Sequence, residues 1–561
     1  MGTSRDKEAA CVRRITDGMT DHVTDVRQIA FPWKRSPDQT GAQPAHHPVV
    51  IVGAGPVGLV AAIDLAKRGH RSVVIDKRSN LSFGSKAVCW SKRTLEIMDR
   101  LGFAQRLLDK GVTWRKGKVF LDTRQIYEFD LLPETGHRMP AFVNLQQYYV
   151  EHFCVEAAAA TGLVDLRWQE EVTGLEIAGD GVLLDVATPA GPYRIGADWV
   201  VAADGARSTL RQLMGLGFEG RVFQHQFLIC DVKIKMDRPT ERVFWFDPPF
   251  NRGLSALLHR QADDVWRLDF QVGDEADREA EVKPENAARR VRAALGEDVD
   301  FTFEWISLYR FQSRRLQRLR HGRVLFAGDA AHQMSPFGAR GGNSGVQDAD
   351  NLAWKLDLVL RGLAPERLLD SYDQERILAA EENLLNTTRS TDFIAPKSAA
   401  TRTFRDSVLA LAETEPFARR LVNSGRLTVA TCYDGSALNG PDGFAEGECP
   451  QTRPGAAALD APLDGGWFLG RLGAGFTGVW FGPDGAPPDA VARAQADLAR
   501  RQLPVNPVIV SHETSCARYG AEQAPAYYLF RPDGHVAARW RKFSQAETEA
   551  ALARATARGI S

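Results

Sequence analysis

Three clusters of glycine and acid, far apart in the chain and in fixed order, have the residue types needed to grip a phosphorylated ligand. They are Gly53-Ala-Gly55-Pro-Val-Gly58, Asp204-Gly205-Ala-Arg-Ser208-Thr-Leu-Arg211 and Gly328-Asp329-Ala-Ala-His332. Glycine lets a backbone amide come close to a phosphate oxygen, and a carboxylate accepts hydrogen bonds from sugar hydroxyls. In the first cluster Gly53 serves a tight turn, Gly55 the approach of a pyrophosphate, and Gly58 the packing of helix on strand. The apolar run at 72–75 ends at Asp76, where an acid can accept from a ribose hydroxyl.

Context separates this fingerprint from a chance match. The run 49–52 reads as a buried strand and 57–69 has apolar residues at helical spacing, so the glycines lie between strand and helix, with the helix amides facing the phosphates. Gly473-Ala-Gly475-Phe-Thr-Gly478 fits the same pattern but is followed by Val479-Trp480-Phe481 and then Gly482-Pro483, a strand that stops. Without a helix N-terminus there is nothing to hold phosphate, and we read it as a turn between strands. Three ordered signatures describe one cofactor held at several points along its length, and FAD is the cofactor they suggest.

The third signature extends this chemistry. Asp329 follows the buried-strand run Arg323-Val-Leu-Phe-Ala327, and a glycine-rich loop then opens a helix at about Ser344. Such a loop offers a carboxylate for sugar hydroxyls and free amides for the negative charge that develops on a flavin when it is reduced. Arg340 would add a positive charge there, against the alternative of a surface charge on a loop, and His332 reads more readily as packed than as catalytic.

The elements that must position these residues follow from where the signatures fall. We expect an α/β chain: a Rossmann-like FAD-binding domain from 47–219 and 319–395, an inserted, mostly antiparallel substrate sheet at 220–318, a helical segment and linker at 396–454, and a C-terminal α/β unit at 455–561. Residues 1–46 read as a loose tail or arm. Lys plus Arg total 70 against 71 for Asp plus Glu, a net charge of -1, so electrostatics argue for neither nucleic acid nor an anionic membrane as partner. No apolar run approaches the roughly 18 to 20 residues that span a bilayer. Seven cysteines at scattered positions, with no C-x-x-C pair, argue against a disulfide framework and against a metal site, and a cytoplasmic protein is expected.

The order of the motifs resembles the single-component FAD-dependent aromatic-ring hydroxylases, the family of para-hydroxybenzoate, phenol and 3-(3-hydroxyphenyl)propionate hydroxylases. The likeness covers about 47–395 and is most specific in Phe326-Ala-Gly-Asp-Ala-Ala-His332, Pro336-Phe-Gly-Ala-Arg-Gly-Gly-Asn-Ser-Gly345 and Asp348-Ala-Asp-Asn351-Leu-Ala-Trp-Lys355. It implies that Gly328 and Asp329 meet the ribityl chain and that the loop 336–345 lies beside the isoalloxazine. Arg340, Pro336 and Asn343 then stand on the reacting side, with Gly341, Gly342 and Asn343 against the cofactor. Asp204 and Arg211 belong to the motif associated with FAD and the nicotinamide donor, while Lys86 occupies a position where the family often has arginine, and Gln147 matches a glutamine on the flavin side of the pocket. Where phenol hydroxylases carry an acid this chain has Val88, which leaves the group that activates substrate unassigned.

The resemblance implies hydride transfer from NADH or NADPH to FAD, reaction with O2, and passage of one oxygen atom from a flavin C4a-hydroperoxide to a small aromatic substrate, probed against the alternative of a non-hydroxylating oxidase or reductase. Tyr527-Tyr-Leu-Phe530 and Arg531-Pro-Asp-Gly534 read as strand and hairpin and resemble the thioredoxin-like domain of the phenol hydroxylases. Thiol exchange needs a cysteine pair, and Cys516 stands alone, so a structural role is expected, with a homodimer interface as one form of it.

Overall fold

The computed structural model describes residues 25–558 apart from 42, 85, 275, 423–426 and 428, so the expectations for residues 1–24, Cys11 and Ser85 lie outside it. The first layer is built on β1 (Ala45–Val52), α1 (Pro56–Lys67) and β2 (Ser72–Asp76), followed by α2 (Lys92–Arg100). Strands β3 (Lys116–Leu121) and β4 (Arg124–Asp130), helix α3 (Gln147–Ala160), β5 (Val164–Trp168) and β6 (Tyr193–Ala202) come next. The runs of Val and Ile in β1 and β2 are buried on both faces, which is what a central parallel strand requires. β1 pairs in parallel with β2 on one side and β6 on the other, with Ile51 opposite Val74 and Val201.

The second layer holds β7 (Glu219–Lys233), β8 (Arg242–Phe246), β9 (Ser255–Arg260), β10 (Val265–Val272) and β11 (Thr302–Arg315). β7 lies between β10 and β11, all antiparallel, and β9 joins β10 to β8. The sheet does not stop at the segment 220–318: β8 pairs in parallel with β3, Phe244 opposite Val119, and β4 closes the edge. Two strands from the expected nucleotide-binding segment therefore belong to the second sheet, a long-range pairing that alternation within each strand cannot reveal.

The chain returns to the first sheet with β12 (Val324–Phe326), parallel to β6, then forms α4 (Gly341–Leu360) and α5 (Leu368–Ile394). Helix α4 starts at Gly341, three residues before the expected Ser344. The C-terminal layer has β13 (Phe476–Phe481), α6 (Asp489–Ala499), β14 (Val505–Val510), β15 (Ala526–Phe530), β16 (Val536–Trp540) and α7 (Gln545–Ala555). β13 runs parallel to β14 and antiparallel to β15, and β15 and β16 form the expected hairpin. Gly478 of the second glycine match lies inside β13, where a Cβ would fall 2.1 Å from the Tyr527 hydroxyl, while Gly473 and Gly475 precede the strand after a short turn of helix at Phe468–Arg471.

Two further joints shape the molecule. The N-terminal segment is anchored at 29–31, where Ile29 is buried and the Phe31 ring stacks on Trp168 at 4.1 Å. The C-terminal layer is fastened by buried charges, because Glu375 of α5 accepts from Lys355 Nζ at 2.7 Å and from both terminal nitrogens of Arg531 at 2.7 and 2.9 Å. Trp354 Nε1 donates to Asp533 at 3.0 Å beside it.

Burial alone would raise the Glu375 carboxyl, but Arg531 and Lys355 hold it well below the usual range. A depressed carboxyl contributes stability that is present above its unfolded value of roughly 4.3 and is lost as pH falls toward the native value. Glu375→Gln removes that charge and leaves Lys355 and Arg531 buried without it, at a cost of about 3–5 kcal/mol. Thermal melts from neutral to acid pH should show the variant less stable at neutral pH and with a shallower acid decline than the parent; equal melting temperatures would show that this joint does not carry the docking.

Candidate cofactor and active site

The first signature forms a cradle. Gly53 adopts a φ of +111°, and a Cβ there would lie 2.3 Å from the Ala203 carbonyl oxygen; a Cβ on Gly58 would lie 2.0 Å from the Gly53 carbonyl oxygen. Both glycines are therefore fixed by backbone contact, Gly53 at the turn and Gly58 at the helix packing. Gly55, the N-cap of α1, faces nothing within 4 Å, as do Gly205 and Gly341. Those open positions, one in each signature's neighbourhood, are where a ligand can approach backbone.

The acids differ in how far they are already used. Asp76 accepts from Ala54 N at 2.7 Å and, through both oxygens, from Arg78, which outweighs burial and keeps its carboxyl low. A ribose hydroxyl can share it only where Arg78 yields. Asp204 accepts from Leu210 N at 3.1 Å and so caps the short helix Thr209–Leu213, while its Oδ1 is buried without a partner among the described residues; burial raises this carboxyl. Asp329 keeps exposed surface, while desolvation by the surrounding protein raises its carboxyl and the charges of His332, Lys86 and Arg211 act the other way. An orphan carboxylate oxygen beside open glycines fits the sugar and phosphate portions of FAD.

Other expected residues act on the protein itself. Arg211 donates to Ala330 O at 2.9 Å and Ala206 O at 2.8 Å and stacks over Phe218, tying the second signature to the third. Gln147 accepts from Ala87 N at 3.2 Å and donates to Glu151 at 2.8 Å, while Lys86 is exposed and reaches Ser82 Oγ at 3.2 Å. These contacts tie Ser82, Lys86 and Ala87 to the start of α3.

The loop before α4 is pinned from below. Asn343 accepts from Ser91 N at 2.9 Å and donates to Cys89 O at 2.8 Å and Ala339 O at 2.6 Å, so its amide is committed to protein. Ala339 takes a φ of +54°, a left-handed conformation that costs energy for any side chain but glycine. Arg340 is 5% exposed and donates to Asn383 of α5 at 2.7 Å, which rules out the reading of a surface charge. Pro336 is exposed at the loop's outer end, and Gly342 passes so near Ala87 that its Cβ would lie 3.2 Å from the alanine's.

One hub was not foreseen. Asp348 is fully buried and accepts from Gly328 N at 2.9 Å, His332 Nε2 at 2.7 Å and Arg376 Nε at 2.6 Å. His332 and Arg376 overcome burial and keep its carboxyl low. His332 is thus a packed structural residue. The sequence signal for the hub was the place of Asp348 at the head of the motif Asp348-Ala-Asp-Asn351, which does not reveal its partners. Sequence reading also passed over the polar face of the second sheet, although Arg267, Asp269 and Gln271 alternate with Trp266, Leu268 and Phe270 in β10.

The fingerprint geometry yields a direct test. Gly58→Ala places a methyl group against the Gly53 carbonyl, where neither backbone can yield without opening the turn. FAD affinity, followed by quenching of flavin fluorescence, should fall by at least about tenfold, on the order of 1.4 kcal/mol, while the C-terminal layer keeps its fold; unchanged affinity would show that the turn is not the phosphate cradle.

Comparison with known proteins agrees with this geometry. A family model described as an FAD binding domain matches residues 46–387. The 6-methylpretetramide 4-monooxygenase of Streptomyces rimosus is 30% identical over 537 residues, 88% of this chain and 91% of that protein. A probable NADH-specific resorcinol 4-hydroxylase of Rhodococcus jostii is 31% identical over 435 residues, 75% of this chain and 78% of that one. Among solved structures, aklavinone-11 hydroxylase in a ternary complex with FAD and aklavinone superposes with a TM-score of 0.74 at 25% identity, covering 92% of this chain and all of that one. With a glycine cradle at the head of β1, a carboxylate at each later turn and relatives that share nearly the whole length, the chain belongs to the FAD-binding-domain family of flavin-dependent aromatic monooxygenases.

Proposed function

We propose that this enzyme hydroxylates a phenolic ring of a small aromatic substrate held between the cofactor cradle and the inner face of the second sheet. The observation that carries this reading is the orphan Oδ1 of Asp204 together with the open space at Gly55, Gly205 and Gly341, where a Cβ would meet nothing within 4 Å. When bound, FAD accepts hydride from NADH or NADPH and activates O2. Gly55, on the turn that Gly53 and Gly58 shape, would receive the pyrophosphate, and Asp204 and Asp329 would receive sugar or ribityl hydroxyls. Arg211, Lys86 and Gln147 border that path, with Arg211 and Gln147 fixing its backbone. Asp76 secures the turn at Ala54 and meets ribose when Arg78 gives way.

The loop 336–342 forms the wall nearest the reaction. Asn343 and Arg340 are positioning residues here, since Asn343 anchors the loop to Cys89 and Ser91 and Arg340 anchors it to α5. Phe337 packs edge-on against Phe227 and Phe311, at centroid distances of 5.0 and 5.4 Å, and this aromatic wall excludes water from the ring to be oxidised. A phenolic substrate is supported by the relatives that act on resorcinol and on 6-methylpretetramide. A cytoplasmic site of action is supported by the six described cysteines, all free thiols.

The decisive assay mixes the FAD-loaded enzyme with NADH or NADPH, 18O-labelled O2 and a panel of phenols. Label in a hydroxylated product is the expected result, whereas peroxide formation alone, with every phenol unchanged, would overturn the reading. A second measurement tests the cradle: Asp329→Ala removes a charged hydrogen bond of roughly 1.5–3 kcal/mol, so the FAD dissociation constant should rise about ten- to a hundredfold. An unchanged constant would move the ribityl chain away from Asp329.

A further inference from the structure

The inner face of the second sheet carries buried polar groups that the protein itself does not satisfy. His259 of β9 stands directly opposite Arg267 of β10, and Arg267 opposite Asp231 of β7, so the three side chains share one face. Asp269 lies two residues along β10 on that face, opposite Leu257, and Arg242 opens β8, the next strand beyond β9. Arg267 and Asp231 pair with each other through two contacts of 2.7 and 2.8 Å. Their neighbours are left over: His259 Nε2, Asp269 Oδ1 and Arg242 Nη1 are buried atoms with no hydrogen-bond partner among the described residues. An unmatched buried polar atom is costly, so three on one face mark a place where a ligand completes the bonding.

The arrangement also fixes which of these atoms donate. Trp114 Nε1 donates to Asn144 Oδ1 at 2.8 Å, which orients that amide, and Asn144 Nδ2 donates to Arg260 O at 2.8 Å. The same Nδ2 faces His259 Nδ1 at 3.5 Å, so Nδ1 is the acceptor and the proton of the neutral ring sits on Nε2. Burial, reinforced by Arg242 and Arg267, keeps this ring neutral. His259 Nε2 and Arg242 Nη1 therefore present two N–H donors. Asp269 presents an acceptor: burial pushes its carboxyl up to about 6, against the opposing pull of Arg267, so it is ionised at neutral pH yet basic enough to take a proton.

The face also has the right place in the molecule. Cys89 Sγ lies 3.8 Å from His259 Nδ1, and the Cys89 carbonyl is the one that Asn343 holds, so one residue separates the polar group from the loop beside the cofactor. The other end of the same sheet face is aromatic, with Phe227 and Phe311 against Phe337 of that loop.

We infer that Arg242, His259 and Asp269 form the receptor for a substrate bearing a hydroxyl next to a carbonyl on an aromatic ring. Arg242 and His259 donate to the carbonyl oxygen, and Asp269 accepts the neighbouring hydroxyl. On activation the hydroxyl O–H bond breaks, its proton forms an O–H bond to Asp269, and the electron pair stays on the substrate oxygen, enriching the ring for attack by an electrophilic oxygen. Asp269 thereby fills the role left open by Val88. This inference rests on the hydroxylase reading and names the substrate class within it.

Binding of 2-hydroxyacetophenone and of phenol to the FAD-loaded enzyme, read from perturbation of the oxidised flavin spectrum, tests it. The carbonyl-bearing probe should bind about tenfold tighter or more than phenol. Arg242→Met and His259→Phe should each bring that ratio toward one, Arg242→Lys should keep part of it, and Asp269→Asn should weaken both probes alike and raise the pH at which bound 2-hydroxyacetophenone ionises. Each ratio is taken within one holo-variant, so a partial loss of fold cancels. Equal binding of the two probes to the parent enzyme, or a ratio untouched in both Arg242→Met and His259→Phe, would overturn the receptor. Failure of every hydroxyaromatic to perturb a bound flavin would instead overturn the hydroxylase reading itself.

Discussion

A single buried carboxylate holds the cofactor side of this molecule together. Asp348 sits in α4 with no exposure to water, and a charge so placed is tolerated only because three donors from three different elements converge on it. Gly328 brings the end of β12, His332 brings the strand that follows, and Arg376 brings α5. Arg376 in turn donates to Ser344 and to the Tyr433 hydroxyl, extending the tie to the helix start and to the linker beyond. Removing the carboxylate would leave an arginine uncompensated in the interior and free the turn that presents Asp329. The geometry of the third signature is thus a consequence of one ionic contact rather than of the loop's own preferences.

The rest of the buried charge divides into two kinds. In the joints every group is answered: Glu375 with Lys355 and Arg531, Arg100 with Asp64 and Asp350, Arg267 with Asp231. These pairs contribute orientation more than net stability, since desolvation consumes much of the attraction. In the cleft the opposite holds, and Asp204, His259, Asp269 and Arg242 each keep a buried atom unmatched. We read these vacancies as places where a cofactor and a substrate supply the missing partners.

The two sheets also divide the chemistry. The parallel sheet ends in glycine turns where phosphate and sugar can approach, because strand ends feeding helix starts leave amides unpaired. The antiparallel sheet offers a face graded from aromatic to charged, suited to hold a ring flat while fixing its oxygen substituents. Loop 336–342 is pinned by Asn343 to the strand Cys89–Ser91 of a small third sheet and packed by Phe337 on the antiparallel one.

Much of the first sheet was legible in the sequence because its determinants are local. Continuous Val and Ile runs fix buried strands, and Gly53 and Gly58 occupy positions that backbone contact closes to any other residue. The absence of a helix after Gly478 was equally plain, since the residues that follow it form a strand. What the sequence left undecided depends on groups that meet only after folding. The resemblance set Arg340 and Asn343 beside the flavin, and only the tertiary structure shows what holds them, Asn343 being tied to Ser91 and Cys89 and Arg340 to Asn383. Sequence reading assigned 116–130 to the nucleotide domain, and the parallel pairing of Val119 with Phe244 carries that hairpin into the other sheet. Periodicity and turn chemistry act over a few residues and so determine elements and their order; the partner of a buried charge lies tens to hundreds of residues away, and only packing decides it.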